Sequence, residues 1–329
     1  MKTVRANVIL VALNNAPVGL FAAVLAVFGM LSPQFFTGQN LMNVGVQASS
    51  NAIVAIGMTF VLLTAGVDLS VGATMFIAAA VAGKMVLGGC SFPLAIAAML
   101  GVGAAGGAMN ALLITRVGVM PFVVTLATLY VGRGLALWIT QTRAMNLPES
   151  FLQLGAVKVA GVPLPIAICA VVLLLAQVTL TRTPFGRQIY AVGADLDAAR
   201  KAGLNTNRIL FCVYLICGIC AALGGTIALA QIGAVSPKFG ENREFTAIAA
   251  AVLGGTSLFG GRGKVFPGTV IGALLIQSVE NGLVMLNADP YLYPLITSAI
   301  IFVAVLLDNA RGEMIERLSR RKIRIEEAV

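Results

Sequence analysis

The sequence contains no histidine, and it has only 13 acidic residues among 329. Histidine is the side chain that most often serves as a general base or a metal ligand near neutral pH. The few acids are scattered and form no cluster of the kind that holds a catalytic metal. These shortages argue against a membrane enzyme such as a lipid-linked transferase, and we expect a chain that is not an enzyme and holds no metal.

Charge is also scarce, because only 11% of the residues are charged while 59% are hydrophobic. An ordinary soluble domain carries about 25% charged residues. The polar intervals are too short to fold independently, so we expect one integral membrane domain over residues 1–329.

The five cysteines do not suggest a disulfide framework. Most of them lie within apolar runs, where buried thiols behave as small hydrophobic side chains. Cys217 and Cys220 have the spacing of a metal or redox pair, but no second such pair accompanies them. Helix packing is the favoured interpretation of this pair.

Apolar windows long enough to cross about 30 Å of hydrocarbon predict an all-α, polytopic protein of about ten spans. The N-terminal run is interpreted as a retained first span rather than a cleaved signal peptide. Two glycine-rich windows are marginal, which leaves an eight-span alternative. The windows are 16–36, 47–65, 69–88, 92–115, 119–140, 162–181, 209–231, 244–261, 265–286 and 291–308.

The distribution of basic residues predicts the orientation of the chain. With the N-terminus inside, all but six of the 22 Lys and Arg residues fall on the cytoplasmic side, which favours an even number of spans with both termini cytoplasmic. The short basic tail at 309–329 is then a solvated or lipid-touching end. This arrangement accounts for the net charge of +9 without a nucleic-acid partner.

The longest polar interval, at 182–208, lies between two apolar runs and predicts a short capped helix. Asp195 suits the N-cap, Arg200 lies in the last turn, and Gly203 suits the left-handed position that follows a helix. Such a helix is typical of a docking surface on the cytoplasmic side. A partnerless helix lying on the lipid surface is an equally good interpretation from these residues.

Two glycine runs imitate nucleotide-binding motifs without their context. Gly101, Gly103 and Gly106 fit the dinucleotide fingerprint, but no nearby acid is placed to hold a ribose. The run at 254–265 lacks the spacing of a phosphate loop. We therefore expect no nucleotide cofactor in this chain, and small residues such as Gly103 and Gly107 are expected to let helices approach closely, as are Gly268 and Gly272.

Polar side chains inside the predicted spans are the candidates for a translocation path, because each is costly in hydrocarbon. Asp68 and Ser70 are better explained as a cap or switch where a helix restarts. The neutral groups among the path candidates suit an uncharged polyhydroxylated solute, although interhelical hydrogen bonds explain them equally well. The path candidates are Asn110, Arg133, Trp138, Gln277, Glu280 and Asn281.

An ion-coupled secondary transporter is the main alternative class. Such transporters usually place carboxylate or histidine relays near the middle of the membrane. Here Glu280 is the only deep acid that the predicted spans contain, which disfavours this class.

Four motifs together resemble the permease subunits of bacterial ribose-type ABC importers. They are GVDLSVGA at 66–73, TPFGRQIYAVGADLDAARKAGL at 183–204, AAAVLGGTSLFGGRG at 249–263 and VENGLVMLNADPYLYPLITSAIIFVAVLLD at 279–308. The motifs occur in the family's order, and the resemblance extends nearly from end to end.

This resemblance implies the ABC importer permease fold in the bacterial cytoplasmic (inner) membrane, with a monosaccharide, a sugar alcohol or a sugar-like signalling molecule as solute. The implied partners are a cytoplasmic ATPase that binds ATP, a periplasmic sugar-binding protein and a second permease chain, identical or different. The interval at 182–208 is similar to the coupling helix that enters a cleft of the ATPase. The matching positions are Gly186, Arg187, Tyr190, Gly193, Asp195, Ala198, Ala199, Arg200 and Gly203.

Overall fold

The computed structural model describes residues 16–289 and, beyond them, residues 291–293, 295–296, 298–299, 302 and 306. The predicted basic tail at 309–329, the chain start at 1–15 and much of the predicted span at 291–308 lie outside the described residues. The described part is mostly helical, as the sequence predicts.

Twelve α-helices follow one another along the described part of the chain, joined by short loops. Two helix ends contain a turn of π-helix, at Leu113–Val117 and Val265–Thr269. The helices are α1 (Ala16–Leu31), α2 (Gly38–Leu63), α3 (Val71–Leu87), α4 (Phe92–Leu112), α5 (Pro121–Thr140), α6 (Glu149–Ala156), α7 (Leu164–Arg182), α8 (Pro184–Ala194), α9 (Leu196–Lys201), α10 (Thr206–Ile232), α11 (Arg243–Leu253) and α12 (Val270–Met285).

Four two-residue strands form two small antiparallel ladders within the described residues. β1 (Met145–Asn146) pairs with β4 (Ala234–Val235), so the segments that follow α5 and α10 are tied together. β2 (Lys158–Val159) pairs with β3 (Val162–Pro163) in a hairpin just before α7.

Six helical segments of the described residues are long and apolar enough to cross a membrane. Two further apolar helices, α1 and α3, are shorter. The only helix in the window predicted at 244–261 is α11, whose 11 residues extend about 16 Å and cannot cross the hydrocarbon. The predicted number of about ten spans is therefore not confirmed in this part of the chain. The six segments are Gly38–Leu63, Phe92–Val117, Pro121–Thr140, Leu164–Arg182, Thr206–Ile232 and Val265–Met285.

The chain divides into two compact units, one of residues 42–274 and one of residues 1–41 with 275–329. In the larger unit, α4 packs on α10 through small residues. Gly103 touches the carbonyl of Gly218, and Gly107 touches the carbonyl of Tyr214. Any larger side chain at these positions would separate the two backbones, which confirms the prediction of close helix approach.

Other predicted packing positions are confirmed in the same unit. Cys217 and Cys220 are free, buried thiols, and the backbone of Gly57 in α2 lies directly against them. Gly268 touches the backbone of Gly254, and Gly272 touches the carbonyl of Ala250 in α11. The cysteine pair therefore fills space between helices, as expected of small hydrophobic side chains.

Candidate coupling surface and polar sites

The predicted docking segment folds as two short helices, α8 and α9, that meet at Asp195. The Asp195 carboxylate accepts the backbone N–H groups of Asp197 and Ala198, both at 2.9 Å. The predicted N-cap of α9 is therefore confirmed. The preceding helix begins in a similar way, because the Thr183 hydroxyl accepts the N–H of Gly186 at 3.2 Å.

The end of α9 is closed by Gly203, which has a φ of 84°. Its N–H donates to the carbonyl of Arg200, and the N–H of Leu204 donates to the carbonyl of Ala199. These two bonds make a Schellman motif, in which a glycine in the left-handed region satisfies the last carbonyls of a helix. The predicted position of Gly203 is confirmed.

The predicted coupling residues separate into two groups by exposure. The exposed residues carry charged or small side chains, whereas the buried residues pack α8 and α9 against the rest of the chain. Tyr190 lies between these extremes and is half-buried. The exposed residues are Arg187, Asp195, Ala198, Arg200 and Gly203, and the buried ones are Gly186, Gly193 and Ala199.

Arg200 is one of the exposed cations of this segment, with Arg187 and Lys201. Its Nη1 lies 3.9 Å from a carboxylate oxygen of Asp197, and both side chains are more than half exposed. Its Nε donates to the hydroxyl of Thr206 at 3.1 Å. An exposed ion pair contributes little to stability, so the guanidinium remains available to a partner.

A loop that is remote in sequence packs against α8. We call this loop, residues 254–264, the glycine loop. Gly193 in α8 touches both the carbonyl of Leu63, at the end of α2, and the N–H of Gly261. Gly261 donates its N–H to that same carbonyl at 3.0 Å. The Tyr190 hydroxyl donates to the carbonyl of Gly263 at 2.9 Å, and burial raises the pKa of Tyr190.

These contacts join three parts of the chain into one body. The end of α2, the glycine loop and α8 meet at Gly193, where only a hydrogen atom fits. The sequence flagged the glycine loop as a family motif but not as a support for α8, although its repeated glycines were a signal of close backbone contact.

Replacing Asp195 by alanine is expected to destabilise α9 by about 1 kcal/mol, because two backbone N–H groups lose their acceptor. Hydrogen–deuterium exchange of residues 197–201 should become faster in this variant. Asp197→Ala is the matched control, since Asp197 lies in the first turn of the same helix and caps nothing. Unchanged exchange in Asp195→Ala would contradict the capping role.

Asp68 and Ser70 lie where α3 begins, as the sequence predicts. The Asp68 carboxylate is buried and accepts the backbone N–H of Ser70 at 2.9 Å and its hydroxyl at 2.6 Å. Burial raises the pKa of Asp68, and the hydrogen bonds from Ser70 oppose that rise. These bonds close a turn just before α3, but neither side chain accepts an N–H of the helix, so the predicted side-chain cap is not formed.

Asn110 is hydrogen-bonded to this turn rather than left free for a solute. Its amide donates to the Ser70 hydroxyl at 2.8 Å, and its carbonyl accepts the Thr128 hydroxyl at 2.6 Å. The side chain has no exposed area. The contacts favour the interhelical hydrogen bonds that the sequence left open as the explanation of this residue.

The remaining path candidates fall in both units. In the larger unit, the side chain of Trp138 is 78% exposed on the surface of this chain and does not line its interior. In the smaller unit, Gln277 is buried, and the amides of Asn281 and Asn40 exchange two hydrogen bonds of 2.9 and 3.0 Å. Glu280 is partly buried on the same helix, α12.

Arg133 has an unusual environment in the larger unit. Its guanidinium lies 6.0 Å from the ring centroid of Phe76, and its Nη2 atom is buried without a hydrogen-bond partner among the described residues. Glu244, at the start of α11, is only 4% exposed, and its Oε2 atom also lacks a partner there. The sequence did not single out Glu244, because it stands at the edge of a window taken for a span.

One cavity of about 470 Å³ lies where the end of α4 meets the start of α10. Its lining combines apolar, neutral polar and basic side chains, and it contains none of the predicted path residues. Across the described residues, no group of three or more His, Cys, Asp or Glu side chains is close enough to hold a metal ion. The cavity lining is Leu112, Thr115, Arg116, Asn205, Asn207, Arg208 and Phe211.

Comparison with known proteins matches most of the chain to one protein family. Residues 40–306 match the family described as a branched-chain amino acid transport system / permease component. No solved structure matches the chain.

Several curated relatives cover most of the chain. The chain is 40% identical to the ribose import permease protein RbsC of Escherichia coli K12 over 292 residues, which cover 87% of this chain and 91% of the relative. It is 37% identical to the D-allose transport system permease protein AlsC of the same strain, covering 88% and 90% of the two chains. It is 33% identical to the autoinducer 2 import system permease protein LsrC of Photorhabdus luminescens, covering 94% of each.

Proposed function

Because this chain belongs to the family of permease subunits of ribose-type ABC importers, we propose that it carries a monosaccharide, a pentose or a hexose, across the bacterial cytoplasmic membrane. The observation that carries the proposal is the 40% identity with a ribose permease over 87% of the chain. The chain is a multi-pass transport subunit, and it has no ATPase site of its own.

The working importer contains partners that supply energy and substrate. Two permease chains form the path, a cytoplasmic pair of ATPase subunits binds ATP, and a periplasmic sugar-binding protein delivers the solute. The permease contributes two states of similar stability, one open to each side, and each partner shifts their balance by its difference in affinity. Lipid surrounds the spans, and nucleic acid has no role.

The α8–α9 segment is the surface on which the ATPase acts. Its exposed residues, including Arg200, form the contact, and the buried Gly193 passes motion to the end of α2 through the shared carbonyl of Leu63. This route gives α8 a physical connection to a membrane helix rather than a position on a loose linker. In this proposal the segment faces the cytoplasm, as do both termini.

A sugar-like signalling molecule is the second candidate solute. The 33% identity with an autoinducer 2 permease over 94% of the chain supports it. A sugar alcohol fits the same uncharged polar chemistry. An ion-coupled transporter is less well supported, because the matched relatives are import permeases.

The orientation of the α8–α9 segment tests the proposal directly. Lys201→Cys in a cysteine-free background should resist a membrane-impermeant maleimide in intact cells and react in inverted vesicles. Added ATPase subunits should then protect the thiol by covering it. The matched control is Lys158→Cys, which is also exposed and is expected on the opposite side, so it should react in intact cells. Reaction of Lys201→Cys from outside the cell would overturn the proposed coupling.

A further inference from the structure

Two buried atoms of opposite charge lack partners in the larger unit. Nη2 of Arg133 and Oε2 of Glu244 form no hydrogen bond within the described residues. A buried polar atom without a partner is costly, and the cost is larger for a charged group. Such atoms persist where a ligand or a second conformation satisfies them.

Arg133 lies well inside a helix that is long enough and apolar enough to cross a membrane. Arg133 is the thirteenth residue of α5, so it stands about 18 Å along a helix of 20 residues. Glu244 is in the first turn of α11, a helix too short to cross.

The surrounding backbone brings Glu244 close to α3. Its Oε2 atom lies next to the Cα of Gly72, and Gly72 and Gly240 are in contact through their backbones. The neighbouring Arg243 is directed elsewhere, since its Nη1 donates to Oδ1 of Asn51. Arg133 reaches the same helix, because its guanidinium lies 6.0 Å from the ring centroid of Phe76, one helical turn along α3 from Gly72.

The chemistry of these two atoms selects the class of ligand. The carboxylate oxygen of Glu244 requires a hydrogen-bond donor, and the guanidinium nitrogen of Arg133 requires an acceptor. A hydroxyl group is both. A neutral compound with neighbouring hydroxyls satisfies the two atoms together, whereas a lone cation or anion satisfies only one of them.

We propose that Arg133 and Glu244 form a subsite for a pair of sugar hydroxyls on the translocation path. The proposal rests on the proposed function and adds to it Glu244, the residue that accepts from the sugar. The subsite lies beside α3, where Arg133 lies against Phe76 and Glu244 against Gly72.

The test compares uptake of D-ribose with uptake of its 2-deoxy, 3-deoxy and 5-deoxy analogues in the assembled importer. D-Allose and its deoxy analogues replace them if the wild type prefers the hexose. The wild type is expected to favour the complete sugar over at least one analogue. In Glu244→Gln and Arg133→Lys this preference should fall about 10- to 100-fold, because the charged partner of that hydroxyl is lost or displaced. The sugar-binding protein is the same throughout, so its own preference cancels in the comparison.

Glu241→Gln and Arg143→Lys are the matched controls, because both residues are exposed and each has the same side chain as its partner in the subsite. Their preference among the analogues should equal that of the wild type. Equal loss of uptake for every analogue in the Glu244 and Arg133 variants would overturn the subsite, as would failure of both variants to assemble. A wild-type importer that carries neither sugar would instead overturn the proposed function.

Discussion

Replacement of Gly193 by leucine should abolish sugar uptake and lower the melting temperature of the permease. A side chain at this position meets the carbonyl of Leu63 and the N–H of Gly261, and neither backbone group can move aside without breaking the bond between them. Overpacking of a buried position costs about 1–3 kcal/mol or more. Melting of the detergent-purified protein and uptake by proteoliposomes measure the two effects.

Ala191→Leu is the control for this substitution. Ala191 lies on the same helix, α8, and is exposed, so the added side chain meets solvent. Melting temperature and assembly should match those of the wild type. If Gly193→Leu left the melting temperature unchanged, the packing of α8 on the end of α2 would be contradicted.

Replacement of Arg200 by glutamate should uncouple the permease from ATP hydrolysis while leaving it folded. The reversed charge repels the partner surface and also faces Asp197. Loss of a charged contact at an interface commonly costs 2–5 kcal/mol, so sugar-stimulated ATP hydrolysis should fall by roughly tenfold or more. Within the permease itself the change is mild, because the ion pair that it removes is exposed.

Arg143→Glu makes the same charge reversal at an exposed position outside the α8–α9 segment. It should leave both ATP hydrolysis and the melting temperature as they are in the wild type. The pattern in Arg200→Glu, with function lost and stability kept, differs from that in Gly193→Leu, where both are lost. Normal stimulated hydrolysis in Arg200→Glu would remove this residue from the contact with the ATPase.

Features that depend on a few neighbouring residues could be predicted from the sequence. The cap at Asp195 and the left-handed Gly203 follow from interactions within one or two helical turns. The close approach of Gly103 and Gly107 to another helix follows from the absence of a side chain. Each of these was found where the sequence placed it.

Features that depend on distant residues could not be predicted in this way. The support of Gly193 comes from Leu63 and Gly261, which are remote in sequence, and nothing local marks Gly193 as a contact point. Asn110 was a path candidate because a polar residue inside a span has few hydrogen-bond partners nearby in sequence. In the structure its side-chain amide is hydrogen-bonded to the hydroxyls of Ser70 and Thr128. The predicted window at 244–261 also continued past the end of α11 at Leu253, because Leu258 and Phe259 in the glycine loop are apolar.

The junction of α8, the glycine loop and the end of α2 has a consequence for exchanging parts between importers. If residues 184–203 alone came from another permease, the new helix would have to pack on the native glycine loop and the native end of α2. Tyr190 and Gly193 each contact a specific part of that main chain. We therefore expect a hybrid that takes residues 184–203 from another permease to fold best when the glycine loop and the end of α2 come from the same parent.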